Sequence, residues 1–330
     1  MKECDAPRFA VLRWRVVGAA RAVTMVGMET PFPTSTPRTV PHDTDGGGHT
    51  VQVEQLAAEI TAGVPVRLLD VRWRLNQPEG RPEYLAGHLP GAVYVDLERE
   101  LARVGRPEEG RHPLPDLADL QTSVRRWGVR EGERIVVYDD NDGVAAARAW
   151  WLLRRHGVDV RVLDGGFRAW LGAGFRLERS DRGVRKGDLT LTPTDAGIAT
   201  IDEAALAPRT GVLIDARAPQ HYRGQVPGLD PVAGHIPGAV NIPTVSYIAP
   251  GGTLRSPGEI RDVLAQHGVA PDADIVLTCS SGIPSAHSAL ALAVAGIPSR
   301  IFPGSWSQWS RSPGRPVAVG PTPADVIGAV

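Results

Sequence analysis

Cysteine is scarce in this sequence, because Cys4 and Cys279 are the only two among 330 residues. They lie far apart along the chain, so the sequence offers neither a disulfide framework nor a cysteine metal cluster. Such usage is typical of a reducing compartment, and we expect a cytoplasmic protein without a bound metal. Long apolar runs are missing too, since none approaches the ~20 residues that span a membrane.

Lysine is almost absent, because the basic residues are arginines apart from Lys2 and Lys186. The formal net charge of −1 disfavours general attraction to nucleic acids or membrane surfaces, so neither is an expected partner. No Gly-x-Gly-x-x-Gly segment follows a strand pattern, which argues against a dinucleotide-binding site. The content of 42% hydrophobic and 22% charged residues is typical of globular proteins, and the length predicts two domains.

Residues 1–48 differ in composition from the rest of the chain. The apolar stretch 9–28 is interrupted by three arginines, which makes it a poor signal-peptide core. Prolines in 31–37 and glycines in 46–48 are typical of a disordered linker. We therefore predict a disordered N-terminal extension, with a targeting segment or an internal start at one of its methionines as the alternatives.

The remainder of the chain repeats itself. Four blocks recur in the same order about one domain apart, which predicts one fold present twice. We expect a first domain at 49–178, a linker at 179–200 and a second domain at 201–330. The matched blocks are 68–72 with 213–217, 87–93 with 234–240, 134–138 with 274–278, and 163–170 with 302–309.

Short β-branched runs alternate with helical patterns in each copy. This alternation predicts an α/β fold in which each domain is a parallel sheet flanked by helices. The predicted strands are 66–71, 135–138 and 160–163. The predicted helices are 144–156, one from Pro257 to Gly268, and one that follows Cys279 and ends at Gly296.

Cys279 lies between a buried-strand pattern at 274–278 and a helix pattern that begins near Ala286. The intervening residues 280–285 are small or turn-forming. We therefore expect the thiol at the carboxyl end of a parallel strand, where open α/β sheets bind ligands. A helix N-terminus and free backbone N–H groups there favour thiolate over thiol. The alternative is a cysteine buried as a small apolar side chain.

These blocks together resemble the two-domain rhodanese-like sulfurtransferases, over roughly residues 50–319. The first copy carries Asp139 to Gly143 where the second carries Cys279, and that family likewise has one half without a cysteine. The resemblance implies that the Cys279 thiolate takes sulfur from a small donor as a persulfide. A thiol or cyanide-like acceptor then removes it. The resemblance implies no organic cofactor and leaves the oligomeric state open.

The residues that follow Cys279 indicate which sulfur donor the protein uses. Members that use thiosulfate carry Arg-Lys there, whereas this chain has Ser280-Ser281. The loop is more similar to the Cys-Gly-Ser-Gly-Val loop of 3-mercaptopyruvate sulfurtransferases. In those enzymes the matching serine, here Ser281, joins a histidine and a carboxylate of the first domain. We expect His88 and Glu79 in these roles. The alternative for His88 is a structural one, because the repeated turn places a histidine in both copies.

The resemblance also implies substrate ligands around the cysteine. We expect them to be Ser280, Gly282, Ile283, Ser285, Arg217 and Arg223. For Arg217 a structural ion pair is the alternative, because its twin in the first copy shares the motif. The mercaptopyruvate enzymes have an arginine where this chain has His221, and Asp230 lies near the place of a second one.

The residues of the cysteine loop argue against one further class of protein and leave another open. A cysteine phosphatase or arsenate reductase needs arginine six residues after the cysteine, and Ser285 stands there instead. A non-enzymatic binding or sulfur-relay module stays open, because Pro284 removes one N–H from the cysteine loop. Reactivity of Cys279 towards iodoacetamide near neutral pH separates such a module from an enzyme. In the first copy, Asp139 and Asp142 are expected to cap the corresponding helix.

Overall fold

A computed structural model describes residues 48–181, 183–226, 228–323 and 326–329. The predicted disordered extension at 1–48 lies outside these residues except for its last position. Two sheets of parallel strands succeed one another along the described chain, as the internal repeat predicts.

The first sheet has five parallel strands in the order β1-β5-β4-β2-β3. Its strands are β1 (Thr50–Val51), β2 (Val66–Asp70), β3 (Val93–Tyr94), β4 (Arg134–Tyr138) and β5 (Val160–Leu163). The helices around it are α1 (Val53–Thr61), α2 (Arg81–Ala86), α3 (Leu97–Glu100), a 3-10 turn (Pro107–Glu109), α4 (Leu117–Arg126), α5 (Val144–Arg155) and α6 (Gly166–Gly172).

The second sheet has four parallel strands in the order β7-β6-β8-β9. Its strands are β6 (Val212–Asp215), β7 (Val240–Asn241), β8 (Ile275–Thr278) and β9 (Arg300–Ile301). Its helices are α7 (Ile201–Thr210), α8 (Pro219–Tyr222), a 3-10 turn (Thr244–Tyr247), α9 (Pro257–Gln266), α10 (Pro284–Val294) and α11 (Ser305–Trp309). An antiparallel pair, β10 (Pro316–Ala318) with β11 (Val326–Ala329), ends the described chain.

Local sequence explains where several helices begin and end. At the start of α9 the Ser256 hydroxyl accepts the N–H of Glu259, while the Glu259 carboxylate accepts the N–H of Ser256. This reciprocal capping satisfies two N–H groups that the helix itself leaves free. Gly268 and Gly296, both with φ above +70°, follow α9 and α10. The predicted strands and helices are thus confirmed, with differences of one or two residues at their ends.

Helices α5 and α10 join the two halves of the chain. Each follows an inner strand of its own sheet, and the two pack against one another. Both are rich in alanine, which lets their backbones approach closely. The buried core is therefore continuous across them, and Trp150 and Trp151 belong to it. Among the described residues, no helix has the length and apolar character needed to cross a membrane.

Candidate active site

The cysteine loop joins β8 to α10 and encloses the sulfur. The Cys279 side chain is 0% exposed. Its Sγ accepts the N–H of Gly282 at 3.0 Å and donates to the Ser285 hydroxyl at 3.4 Å, while Ser305 Oγ lies 3.7 Å away. The expected ring of amides is therefore one amide and two hydroxyls in the described part of the chain. The Gly282 N–H, together with the Ser285 hydroxyl once the thiol has lost its proton, would stabilise negative charge on the sulfur.

Two unusual backbone conformations shape this loop. Gly282 has φ of +84°, and a Cβ there would lie 2.5 Å from the carbonyl oxygen of Pro303. Only glycine fits without displacing the chain. Ser305 has φ of +51°, rare for a residue with a side chain. Its hydroxyl accepts the Cys279 N–H at 3.2 Å and donates to the Phe302 carbonyl, which holds α11 against the loop.

The first domain shows what the equivalent loop does without a cysteine. Asp139 stands at the end of β4, as Cys279 stands at the end of β8. Its carboxylate accepts four backbone N–H groups at 2.8 to 2.9 Å, two of them in the first turn of α5. The predicted capping role of Asp139 is confirmed, whereas Asp142 pairs with Arg168 instead. The loop of the first domain that corresponds to the cysteine loop thus binds an anionic carboxylate.

A serine, a histidine and a carboxylate form a chain beside the cysteine. Ser281 Oγ lies 2.7 Å from His112 Nδ1, and His112 Nε2 lies 3.1 Å from Glu98 Oε1. The hydrogen bond from His112 lowers the pKa of Glu98, so the carboxyl is ionised and accepts at neutral pH. His112 therefore carries its proton on Nε2, and Nδ1 accepts from the Ser281 hydroxyl. Trp73 Nε1 also donates to Glu98, at 2.7 Å.

The histidine predicted for this chain of groups was the wrong one. His88 is buried, its Nδ1 lies 2.8 Å from the Tyr84 carbonyl, and its ring stacks on Tyr84 at 3.9 Å. His235 has the same bond and stack with Tyr222, so both histidines brace the repeated turn. Glu79 is exposed and accepts the N–H of Arg81, away from Ser281.

The duplication carries a signal that separates these histidines. A residue shared by both copies serves a feature of the fold common to both. His88 has a twin, whereas His112, in the segment Arg111-His112-Pro113, has none. Residues without a twin are the ones expected to complete a site present only once. Applied to the histidines, this criterion favours His112 over His88.

A cavity of about 200 Å³ lies next to the cysteine loop. Ser280, Arg217, His221 and Trp306 are among its lining residues. The Arg217 guanidinium donates to Asp215 and to the Gly234 carbonyl, and lies over the Trp306 ring at 4.9 Å. Its Nε and Nη2 are thus engaged in the structural ion pair that was the alternative, while the side chain still lines the cavity.

The other predicted substrate ligands are placed differently. Arg223 is exposed and is not among the described residues that line this cavity. Ile283 and Ser285 are fully buried, so they pack under the loop and do not face the cavity. Gly282 faces the sulfur through its N–H. Of the predicted loop ligands, all of them described residues, only Ser280 lines the cavity.

Arg111, from the first domain, also lines this cavity, although no sequence motif singles it out. Its guanidinium pairs with Asp230, whose carboxylate also accepts from Arg311 at 2.6 Å. The Nε atom of Arg111 is buried and has no hydrogen-bond partner among the described residues. Two guanidinium groups thus share one carboxylate at the cavity, which leaves an excess of positive charge there.

Comparison with known proteins agrees with this architecture. The family model described as the rhodanese-like domain matches residues 52–173 and 200–312. A Mycobacterium tuberculosis protein named as a thiosulfate sulfurtransferase, SseB, is 46% identical over 82% of this chain and 96% of its own. A Pseudomonas aeruginosa protein named as a 3-mercaptopyruvate sulfurtransferase is 41% identical over 81% of this chain and 96% of its own. The solved structure of SseA from Escherichia coli superposes with a TM-score of 0.70 at 30% identity, and covers 78% of this chain and 98% of that one.

The chain has two domains of the same fold, and only the second carries a cysteine in the loop after its inner strand. This arrangement is that of an enzyme that carries sulfur on one cysteine. The chain belongs to the rhodanese-like family and is a two-domain sulfurtransferase that acts on a small sulfur donor.

Proposed function

We propose that this enzyme takes sulfur from 3-mercaptopyruvate as a persulfide on Cys279 and passes it to a thiol or cyanide-like acceptor. The observation that carries this choice of donor is the hydrogen-bonded chain from Ser281 through His112 to Glu98. A donor with an S–H group needs a route for its proton. Thiosulfate carries no proton on its sulfur and gains little from such a route.

Atoms and charge balance in the first half-reaction. The Cys279 thiolate bonds to the donor sulfur, and the carbon–sulfur bond of the donor breaks. Its electron pair stays on carbon as the enolate of pyruvate, and the proton of the donor thiol ends on that carbon. Ser281 and His112 would move the proton, while ionised Glu98 stabilises a protonated His112.

The groups around the sulfur support a persulfide product. Attack leaves the negative charge on the outer sulfur, so the charge of the group is unchanged. The Gly282 N–H already donates to Cys279 Sγ, and the Ser285 hydroxyl can donate to it once the thiol is deprotonated. Donors held in place in this way stabilise the anion with little reorganisation.

Arg111 is the group proposed to bind the carboxylate of the donor. It lines the cavity beside Ser280, and its buried Nε has no hydrogen-bond partner in the described ranges of the chain. A guanidinium binds a planar carboxylate through two parallel bonds. Asp230 would then be retained by Arg311. The loop itself offers no cation, because Ser280 and Ser281 follow the cysteine, and this disfavours a dianionic donor.

A location in a reducing compartment, the cytoplasm, is also proposed. Cys279 is a free thiol in the structure, and its chemistry requires that it stay reduced between turnovers. Fractionation of cells with detection of the endogenous protein tests this location.

Intact-mass analysis after separate exposure to 3-mercaptopyruvate and thiosulfate tests the donor. We expect one added sulfur atom, mapped to Cys279, with 3-mercaptopyruvate and much slower loading with thiosulfate. The Cys279→Ser variant is the control, and we expect it to keep its fold and take up no sulfur. Faster loading by thiosulfate would overturn the choice of donor, and loading of the serine variant would overturn the mechanism.

A further inference from the structure

One fully buried guanidinium lies between the two domains with carbonyl groups as its partners. Arg148, in α5, is 0% exposed. Its Nε, Nη1 and Nη2 donate to the carbonyl oxygens of Leu101, Gly282 and His112 at 3.2, 3.1 and 3.1 Å. Among the described residues no carboxylate pairs with it. The contrast is with other buried arginines that do pair with carboxylates, namely Arg72, Arg217 and Arg300.

A buried charge without a counterion is costly. Carbonyl dipoles compensate only part of that cost, and burial lowers the pKa of Arg148 to about 10. The sulfur of Cys279 is the nearby group that acts against burial and raises the pKa of Arg148. A negative charge held near Arg148 would therefore offset part of that cost.

Gly282 connects the two groups. Its carbonyl accepts from Arg148, and its N–H donates to Cys279 Sγ at 3.0 Å. A Cβ on this glycine would lie 3.0 Å from Arg148 Nη1. The guanidinium is thus packed directly against the residue whose N–H contacts the sulfur, in a buried region where screening of the interaction is weak.

We propose that Arg148, supplied by the domain without a cysteine, is the counterion of the Cys279 sulfur in both its thiolate and its persulfide forms. The proposal rests on the persulfide chemistry proposed above and assigns it a positioning residue. Arg148 exchanges no proton in the reaction. Because thiolate and persulfide carry the same charge, one fixed cation serves both.

The first domain supports this assignment by contrast. There the loop anion is Asp139, whose carboxylate accepts four backbone N–H groups. The sulfur of Cys279 receives one amide from the described residues, that of Gly282. At the place in α10 that matches Arg148 in α5 stands Ser288. The arginine, like the cysteine, therefore occurs in one copy only, and each belongs to a different domain.

The test compares how the rate of Cys279 alkylation by iodoacetamide depends on pH in three variants. In Arg148→Met we expect a rate at pH 7 at least about tenfold below wild type, with the profile moved to higher pH, because an opposite charge nearby favours the thiolate. Arg148→Lys restores part of the rate because it keeps the charge. Arg155→Met is the matched control, since Arg155 lies on the same helix, is buried and donates to carbonyls of Thr194 and Ala196.

Thermal unfolding and circular dichroism are measured on each variant. We expect Arg155→Met to lower the melting temperature and leave the alkylation profile in place. A folded Arg148→Met protein with the wild-type profile would overturn the proposal. If that variant does not fold, Arg148→Gln, which keeps a donor without the charge, replaces it with the same criteria. Alkylation needs no sulfur donor. If 3-mercaptopyruvate fails to load the wild type, the proposed donor is refuted, but the alkylation rates still test the role of Arg148.

Discussion

The Nδ1 atom of His112, in the first domain, lies 2.7 Å from the hydroxyl oxygen of Ser281, in the second. The Arg148 guanidinium crosses the same boundary and holds the carbonyls of His112 and Gly282. The domain without a cysteine thus provides a histidine, a carboxylate and a buried cation to the cysteine loop of the other. We therefore expect its contribution to be chemical as well as structural.

Replacement of His112 tests the proton route. In His112→Gln we expect kcat with 3-mercaptopyruvate to fall by about 10²-fold, the usual range for loss of a general acid–base group. Turnover with thiosulfate falls much less, because no proton has to move. Steady-state kinetics with both donors gives the comparison, and an equal loss with both would contradict the route.

His88→Gln is the control for that experiment. It removes the bond to the Tyr84 carbonyl and the ring stack, so the melting temperature falls. Because His88 is remote from Ser281, the ratio of turnover with the two donors should stay at the wild-type value. The two histidine variants thus separate an effect on stability from one on chemistry.

Arg111→Met tests the proposed carboxylate ligand. A charge-assisted hydrogen bond contributes about 1.5 to 3 kcal/mol, so KM for 3-mercaptopyruvate should rise roughly tenfold or more while kcat changes little. Arg311→Met is the control, because Arg311 shares Asp230 but is not among the described residues that line the 200 Å³ cavity. Equal increases in KM for both variants, or none for Arg111→Met, would refute the assignment.

Gly282→Ala tests the cysteine loop. The added Cβ meets the Pro303 carbonyl at 2.5 Å, so the loop must shift and the N–H must leave Sγ. We expect sulfur loading, followed by mass spectrometry, to slow at least about tenfold through loss of this donor. Gly296→Ala is the matched control, because φ is +73° there and the nearest described atom to its Cβ, Arg261 Nη2, is 4.0 Å away. Loading at the wild-type rate in both variants would show that the amide does not act on the sulfur.

The fold was predictable because its signals are local or repeated. Strand patterns, helix caps and four repeated blocks each lie within a few residues of the element they specify. The position of Cys279 after β8 followed from the same local pattern. The loop of Asp139 was identified by its place in the repeat.

The partners of the cysteine loop were harder to predict because they come from the other domain. Contacts between the two domains bring Glu98, His112 and Arg148 to the loop, and Arg111 lines the cavity beside it. No short pattern specifies these contacts. Resemblance to the family supplied the residue types but not their positions. The lack of a twin in the other copy is the one usable signal, and it distinguishes His112 from His88.

Acid should loosen the junction of the two domains through His287. This residue is buried in α10, its Nδ1 lies 2.8 Å from Thr244 Oγ1, and burial lowers its pKa to about 4. The unfolded chain has the usual value near 6.5, so it binds more protons than the folded chain between pH 6.5 and 4. Stability is therefore complete above pH 6.5 and falls by about 3 kcal/mol as the pH drops to 4.

Urea unfolding measured across this range in wild type and in His287→Gln checks the effect. The variant should be less stable at pH 7, because it loses packing, but its stability should change less between pH 6.5 and 4. His267→Gln is the control, because His267 is exposed at the end of α9 and should leave the slope unchanged. If His287→Gln retains the full wild-type slope, another buried group accounts for the acid sensitivity.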